Sequence, residues 1–273
     1  MSELNIDASS NPLKPIEPKI SRRSFVWAAG YMASVYGGVK WLSSRHQVDG
    51  IPWPLRKGLE FNEGFWGDAV NPDKPARTYS ADRITATRLN ETIGMVDDYD
   101  LASWKLSVEG VHGHDSPIEL TIDDIKALPS FEMITEFCCI EGWSMIQRWK
   151  GVRLRDFMEK YPPSTVSGAA PDVQGKPADL VPYVGLTTPP TDDAPEGGYY
   201  VGLDMPSARH VQTMLCYEMN GEPLSVEHGA PLRLVIPVKY GIKNIKRIGR
   251  VIYTDRKPRD YWAEQGYDWF AGL

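Results

Sequence analysis

Two adjacent cysteines, Cys138 and Cys139, end an apolar run that begins near Phe131, and two tryptophans, Trp143 and Trp149, follow closely. In an extended strand successive side chains point to opposite faces, so the two thiols cannot both address one site. One then belongs to the core and the other is free for chemistry. Both also read as small core hydrophobes, because free cysteine is among the most buried residue types. Far along the chain lies a second cluster, with His228, Arg233, Lys239, Lys243, Asn244 and Lys246 set around an apolar strand and accompanied by Gly229 and Gly241. Guanidinium offers phosphate a fork of donors and lysine a point charge, while glycine lets backbone amides approach a ligand. The same residues also read as a solvated basic edge with a buried, hydrogen-bonded histidine.

The third cysteine, Cys216, stands alone, and no paired spacing suits a zinc ribbon, an iron–sulfur cluster or covalent haem. A thiolate is a soft ligand for a redox-active metal, and one is enough where an organic cofactor brings the other sulfurs.

The order Cys139, Ile140, Glu141, Gly142, Trp143, Ser144, Met145, then Trp149 and Gly151, resembles a segment of the sulfite oxidase family. The nearest branch is that of bacterial periplasmic methionine sulfoxide reductase catalytic subunits. The stretches 228–237 and 239–246 resemble the same family's cofactor segment, and Tyr217, Glu218, Met219, Asn220, Gly221 resemble a hairpin of sulfite oxidases. Together the similarity covers about residues 100–258 and contains two specific motifs in the right order. It implies molybdenum held by Cys139 and by a pyranopterin dithiolene, with Cys138 inward or behind it. It places His228 and Arg233 on the pterin and Asn244, Ile245 and Lys246 on its phosphate, with Lys243 beside them. Asn90, in Arg88-Leu89-Asn90-Glu91-Thr92, takes a pterin contact by position, although a cap or turn asparagine reads as well. Thr188 ends a strand that touches the cofactor in the family; its hydroxyl equally suits a turn before Pro189 and Pro190.

The implied chemistry is two-electron oxygen-atom transfer. Sulfite oxidases follow their metal cysteine with arginines suited to an anion, whereas residues 140–144 contain none. That favours reduction of a neutral S-oxide or N-oxide. Arg148 keeps sulfite-type oxidation open as a catalytic cation, or else it stacks on Trp149 at the surface. His228 also stands where the reductase branch has asparagine and sulfite oxidases have histidine. With no haem or iron–sulfur motif in the chain, electrons are expected to pass through a partner such as a membrane haem subunit or cytochrome. Two rivals remain: a thiol nucleophile, Cys139 activated by His210 or His228, and a membrane-tethered binding module without the cofactor.

These residues need a strand-rich scaffold, and 22 prolines with 24 glycines in 273 residues suit one better than a helical bundle. We expect an α+β, mixed, sulfite-oxidase-type domain with peripheral helices over residues 100–273. Alternation predicts a strand at 104–110, a helix at 120–129 capped by Thr121 and stopped by Pro129, then the cysteine strand and a helix at 154–160. A strand at 180–186 and a tight turn at Asn220-Gly221 follow. Residues 46–99, aromatic and proline-punctuated without a period, are expected to wrap the domain in extended form. The net charge of −6 argues against nucleic acid. The immunoglobulin-like dimerisation domain of animal and plant sulfite oxidases has no counterpart, so a monomer is expected.

Residues 1–45 read as a leader. Ser21-Arg22-Arg23-Ser24-Phe25 and the apolar run 25–42 resemble a twin-arginine export signal, or form an ordinary basic amphipathic helix. As a helix the run spans about 27 Å, close to a bilayer core, and no Ala-x-Ala site follows, which favours an uncleaved inner-membrane anchor. Gly30, Gly37 and Gly38 argue for cleavage instead. By either route the folded domain lies in the periplasm.

Overall fold

In the computed structural model, residues 21–48, 50–69, 74–89, 92–96, 98–173 and 179–272 are described. The chain divides into two compact units, Met1–His46 and Gln47–Leu273. In the first, α1 (Arg22–Ser43) starts at Ser21, whose hydroxyl accepts the Ser24 N–H at 3.0 Å. Among the described residues no helix is long and apolar enough to cross a membrane. The expected anchor therefore gains no support from α1, whose glycines, Tyr31, Tyr36, Ser34 and Lys40 dilute its apolar content.

The second unit opens with the short pair β1 (Gln47–Val48) and β2 (Ile51–Pro52), then α2 (Trp53–Ala69). This helix corrects the reading of residues 46–99 as wholly extended. Pro54 falls in its first turn, where the missing N–H costs nothing, so a residue read as a breaker is a tolerated start. Arg56 is buried and donates to the carbonyls of Ala263 (2.9 Å), Val48 (3.4 Å) and Tyr267 (3.4 Å). Residues 74–89 form no strand or α-helix and include a 3-10 turn at Ala81–Arg83: Thr78 bridges Thr135, and Thr85 pairs with Ile146 through its N–H (3.1 Å) and its hydroxyl (3.0 Å).

Then come β3 (Leu106–Glu109), β4 (Ile118–Leu120), α3 (Ile122–Lys126), β5 (Ser130–Cys138), β6 (Ser144–Arg153) and α4 (Leu154–Lys160). Thr121 and Asp124 form the capping box of α3. The remainder is β7 (Tyr183–Thr187), β8 (Tyr200–Asp204), α5 (Met205–Arg209), β9 (Met214–Met219), β10 (Glu222–Pro223), β11 (Arg233–Val235), β12 (Arg250–Thr254) and α6 (Tyr261–Glu264). Two five-stranded sheets result. One has the order β4-β3-β12-β7-β8, with only β3 and β12 parallel; the other runs β10-β9-β6-β5, with β11 also on β9. The protein is thus mixed α and β and strand-rich, with short helices at the connections.

The second sheet positions the site. β5 and β6 pair from Ser130↔Val152 to Cys138↔Ser144, leaving residues 139–143 as the hairpin loop. The Asn220-Gly221 turn has both φ angles positive, 56° and 89°, as a two-residue hairpin of this twist demands. The Asn220 amide then reaches back to β6, accepting the Arg148 N–H at 3.0 Å and donating to Gln147 Oε1 at 2.5 Å. Between Lys150 and Gly151 the register with β9 shifts, and a Cβ on Gly151 would lie 2.0 Å from the Leu215 carbonyl oxygen. Only glycine allows β6 and β9 to close there. Gly151→Ala should therefore lower stability by at least the upper part of the about 1–3 kcal/mol typical of overpacking, read from urea unfolding midpoints.

Candidate active site

The cysteine loop is closed by two hydrogen bonds, Cys139 N–H to the Trp143 carbonyl at 2.9 Å and Gly142 N–H to the Cys139 carbonyl at 3.1 Å. Gly142 supplies the positive φ, 87°. Strand alternation then separates the thiols. Cys139 joins Phe137, Met145, Trp149, Met214, Cys216 and Val235 in one apolar cluster and is 8% exposed; Cys138 is half-buried on the opposite face. The expectation that Cys138 is the inward cysteine is reversed: the candidate ligand Cys139 is the more buried of the two. Its Sγ lies 3.7 Å from Glu141 Oε2, which also accepts the Trp143 indole N–H at 2.8 Å. Burial pushes the Cys139 thiol up, and the Glu141 carboxylate adds to the shift. Such a thiol stays protonated until a cation holds it as thiolate.

Arg233 lies at the start of β11, fully buried, with its guanidinium 5.1 Å from the Trp149 ring centre and 6.0 Å from that of Phe137. Its hydrogen bonds go to carbonyls: His228 at 3.1 Å, Asn244 at 3.3 Å and Leu234 at 3.5 Å. Among the described residues no carboxylate pairs with it, and burial pulls its pKa down to about 10. Burial likewise takes Lys246 to about 8, with Arg233 adding to the effect. His228 is lowered by burial first, then by Arg233 and Lys246. Its Nδ1 faces the Ser225 hydroxyl at 2.8 Å, while Nε2 is buried with no hydrogen-bond partner. Gly229 closes the group, since a Cβ there would meet Lys246 Cβ at 2.8 Å and the Arg247 nitrogen at 2.9 Å. Burial lowers all three groups, and Arg233 adds to the effect on the other two, so the cluster suits a polyanion. Two further polar groups, Thr135 Oγ1 and Trp149 Nε1, are buried without hydrogen-bond partners; both residues border a gap, too narrow to hold water, with Phe137, Lys239 and Asn244.

Other expected site residues take different places. Asn244 spends its side chain on the loop, accepting the Ile236 N–H (2.8 Å) and donating to the Tyr240 carbonyl (3.1 Å); Ile245 is buried and its carbonyl accepts the Leu234 N–H (2.9 Å). Lys243 leaves the phosphate set altogether. It is buried in an ion pair with Asp260 at 2.5 Å, donates to the Gly202 carbonyl at 2.9 Å and lies over the Trp269 ring at 4.6 Å. The Thr188 hydroxyl accepts the Tyr199 N–H at 3.2 Å, a cross-strand bond at the end of the β7–β8 pair rather than a turn before Pro189. Arg148 is on the wrong face: it sits opposite Ile134 and 3.8 Å from Glu132, while its neighbour Trp149, opposite Met133, faces the thiol cluster. Asn90 lies outside the described residues.

The sequence reading missed Arg88, whose guanidinium stands 5.0 Å from the Trp143 ring centre and so reaches the thiol loop from the wrapping segment. Nothing in its local spacing marks it. The reading also missed Asp260, whose tie to Lys243 is long-range. Among the described residues no three His, Cys, Asp or Glu side chains gather as a metal site. A metal at Cys139 would need its other ligands from an organic group, and the basic pocket fits the phosphate of one.

The profile of the family described as "Oxidoreductase molybdopterin binding domain" matches residues 93–262, a span that contains both the thiol loop and the basic pocket. The chain belongs to this family. A putative protein-methionine-sulfoxide reductase subunit of Azospira oryzae is 34% identical over 215 residues, covering 78% of this chain and 73% of that protein. A protein-methionine-sulfoxide reductase catalytic subunit of Campylobacter jejuni is 30% identical over 204 residues, 69% of this chain and 62% of its own length. An uncharacterised oxidoreductase of Bacillus subtilis is 29% identical over 205 residues, 74% of this chain and 92% of that protein. The domain is therefore a molybdopterin oxidoreductase domain, and the expectation drawn from Cys139 to Gly151 holds at the level of family.

The Lys243–Asp260 pair fixes the loop that carries Asn244, Ile245 and Lys246. Asp260→Asn should cost about 3–5 kcal/mol by leaving a buried ammonium unpaired. Adding Lys243→Met should recover at least half of that loss, because the uncompensated charge is then gone. Urea denaturation of the three variants checks both statements.

Proposed function

We propose that this domain reduces a neutral S-oxide, methionine sulfoxide in particular, at a molybdenum–pterin centre outside the cytoplasm. The observation that carries the reading is the joint placement of Cys139 and Arg233 on one aromatic cluster: Phe137 and Trp149 pack with the thiol and stand under the guanidinium. One candidate ligand and one buried cation thus share the same two aromatic neighbours. When bound, the molybdenum–pterin group supplies the two-electron couple for oxygen-atom transfer. This chain's residues do the rest. Cys139 would hold the metal as thiolate, Arg233, Lys246 and His228 Nε2 would bind the pterin and its phosphate, and Gly229 keeps the backbone close enough for this to happen. Asn244 and Ile245 shape the loop, with Lys243 holding it from behind.

Reduction of a neutral oxide is favoured by the charge at the mouth. Residues 140–144 contain no arginine, Arg148 points away, and a carboxylate, Glu141, lies beside the thiol. The protein-methionine-sulfoxide reductases among the relatives point the same way. One observation favours the second reading, sulfite-type oxidation: Arg88 brings a cation over Trp143. A thiol nucleophile is disfavoured, since neither histidine touches Cys139. His210 faces the Lys74 carbonyl at 3.3 Å and receives the Gln212 N–H at 3.3 Å. Electrons would come from a membrane haem subunit or cytochrome, and residues 22–43 would direct export by the twin-arginine route, carrying an already folded domain.

Protein purified from cells able to make molybdopterin should contain about one molybdenum per chain and reduce methionine sulfoxide with reduced viologen. Cys139→Ser should lower turnover at least about a hundredfold and change the molybdenum EPR signal, as expected for loss of a ligand that tunes the metal. Folded wild-type protein without molybdenum would refute the proposal. Oxidation of sulfite without reduction of sulfoxides would select the second reading.

A further inference from the structure

The loop that presents Cys139 also carries a fixed negative charge. Glu141 is exposed, yet its carboxylate is not free to swing: Oε2 accepts the Trp143 indole N–H at 2.8 Å and lies 3.7 Å from Cys139 Sγ. Trp143 is itself held, stacked on Phe137 at 5.9 Å and 29°, with Arg88 over its ring at 5.0 Å. The indole therefore anchors one anion on its N–H edge and one cation near its ring. Of the two, the anion is placed against the sulfur, while no contact brings Arg88 to it. The carboxylate is thus the charged group in contact with Sγ.

We propose that Glu141 is a specificity-determining residue, its carboxylate held at the Cys139 sulfur by Trp143 so that anionic substrates and inhibitors are repelled while neutral, dipolar oxides are admitted. The proposal deepens the functional reading, resting on Cys139 as the reacting centre's ligand, and it concerns discrimination by charge. Discrimination of this kind works through a repulsive element set against the wrong substrate as much as through attraction for the right one. One fixed unit charge at such a range changes the local concentration of a singly charged ligand by about threefold to tenfold at low salt, and by less as salt rises.

Two small alkylating agents test this without the cofactor. In full-length, metal-free protein carrying Cys138→Ser, Cys139 is alkylated by iodoacetate, an anion, or by iodoacetamide, its neutral analogue. Both reactions form a carbon–sulfur bond from the same thiolate and release iodide, so the ratio of their rates is independent of how much thiolate is present. Glu141→Gln should raise the iodoacetate-to-iodoacetamide ratio about threefold to tenfold at low ionic strength. Glu141→Asp should keep the ratio near wild type, and high salt should erase the difference. An unchanged ratio in Glu141→Gln, with Cys139 shown by mass spectrometry to be the labelled residue, would overturn the proposal.

In molybdenum-loaded protein the same substitution should tighten inhibition by sulfite relative to the KM for a neutral sulfoxide by a similar factor. A changed alkylation ratio with unchanged sulfite inhibition would also reject the role in substrate choice. If the protein binds no molybdenum, the functional reading fails by itself, and the alkylation ratio still decides whether Glu141 guards the thiol.

Discussion

A guanidinium buried without a carboxylate is the constraint around which this domain is arranged. Charge is withdrawn from water only at large cost unless an opposite charge or a full set of hydrogen bonds replaces the solvent. Arg233 has carbonyls and two aromatic faces, which orient it but leave its charge uncancelled. Its surroundings compound the problem, because Lys246 and His228 are depressed by burial and, beyond that, by its field. Such a group is retained where a ligand completes it. Geometry alone thus asks for an anion beside the Cys139 cluster, and the family to which the chain belongs names a phosphate-bearing pterin.

Lys243 shows by contrast what a completed buried cation looks like in the same loop. It has a carboxylate at 2.5 Å, a carbonyl and an aromatic ring. Asp260 in turn accepts the backbone N–H groups of Gly202 (3.2 Å) and Ala263 (3.1 Å), so the pair joins β8, α6 and the loop. Tyr199 adds another tie through its hydroxyl to the Ile242 carbonyl at 2.6 Å, and the Tyr240 N–H meets the Ala271 carbonyl at 3.0 Å. Residues 239–246 are therefore strapped from behind by elements far away in sequence.

Legibility followed the range of the interactions. Local chemistry was readable: Thr121 capping α3, the Asn220-Gly221 turn and the span of α4 all depend on residues within a few positions of one another, whereas β6, which closes the cysteine motif into a hairpin, was not expected from the sequence. Pro54 misled because a proline is read as a break unless the helix start is known. Lys243 and Asp260 are an ion pair that no spacing rule predicts, so a lysine beside a phosphate loop was counted with the loop. Arg148 was legible in principle. Once Trp149 is assigned inward on β6, strand alternation sends Arg148 out, and the same parity that separated Cys138 from Cys139 was not applied one strand further on.

The two halves of the site also depend on each other through the ligand. Cys139 is a thiol that burial keeps protonated, and at the basic pocket Arg233 is a buried cation that no carboxylate pairs with among the described residues. A neutral small molecule would relieve neither, and a simple anion would relieve only the pocket. A group that brings a metal cation to the thiol and an anion to the pocket relieves both at once, with opposite charges at its two ends. Because such a group binds the folded chain and not the unfolded one, its binding free energy adds to folding stability. That linkage gives a physical reason for the loaded protein to be the more stable form: the thiol and the buried guanidinium are then each met by an opposite charge.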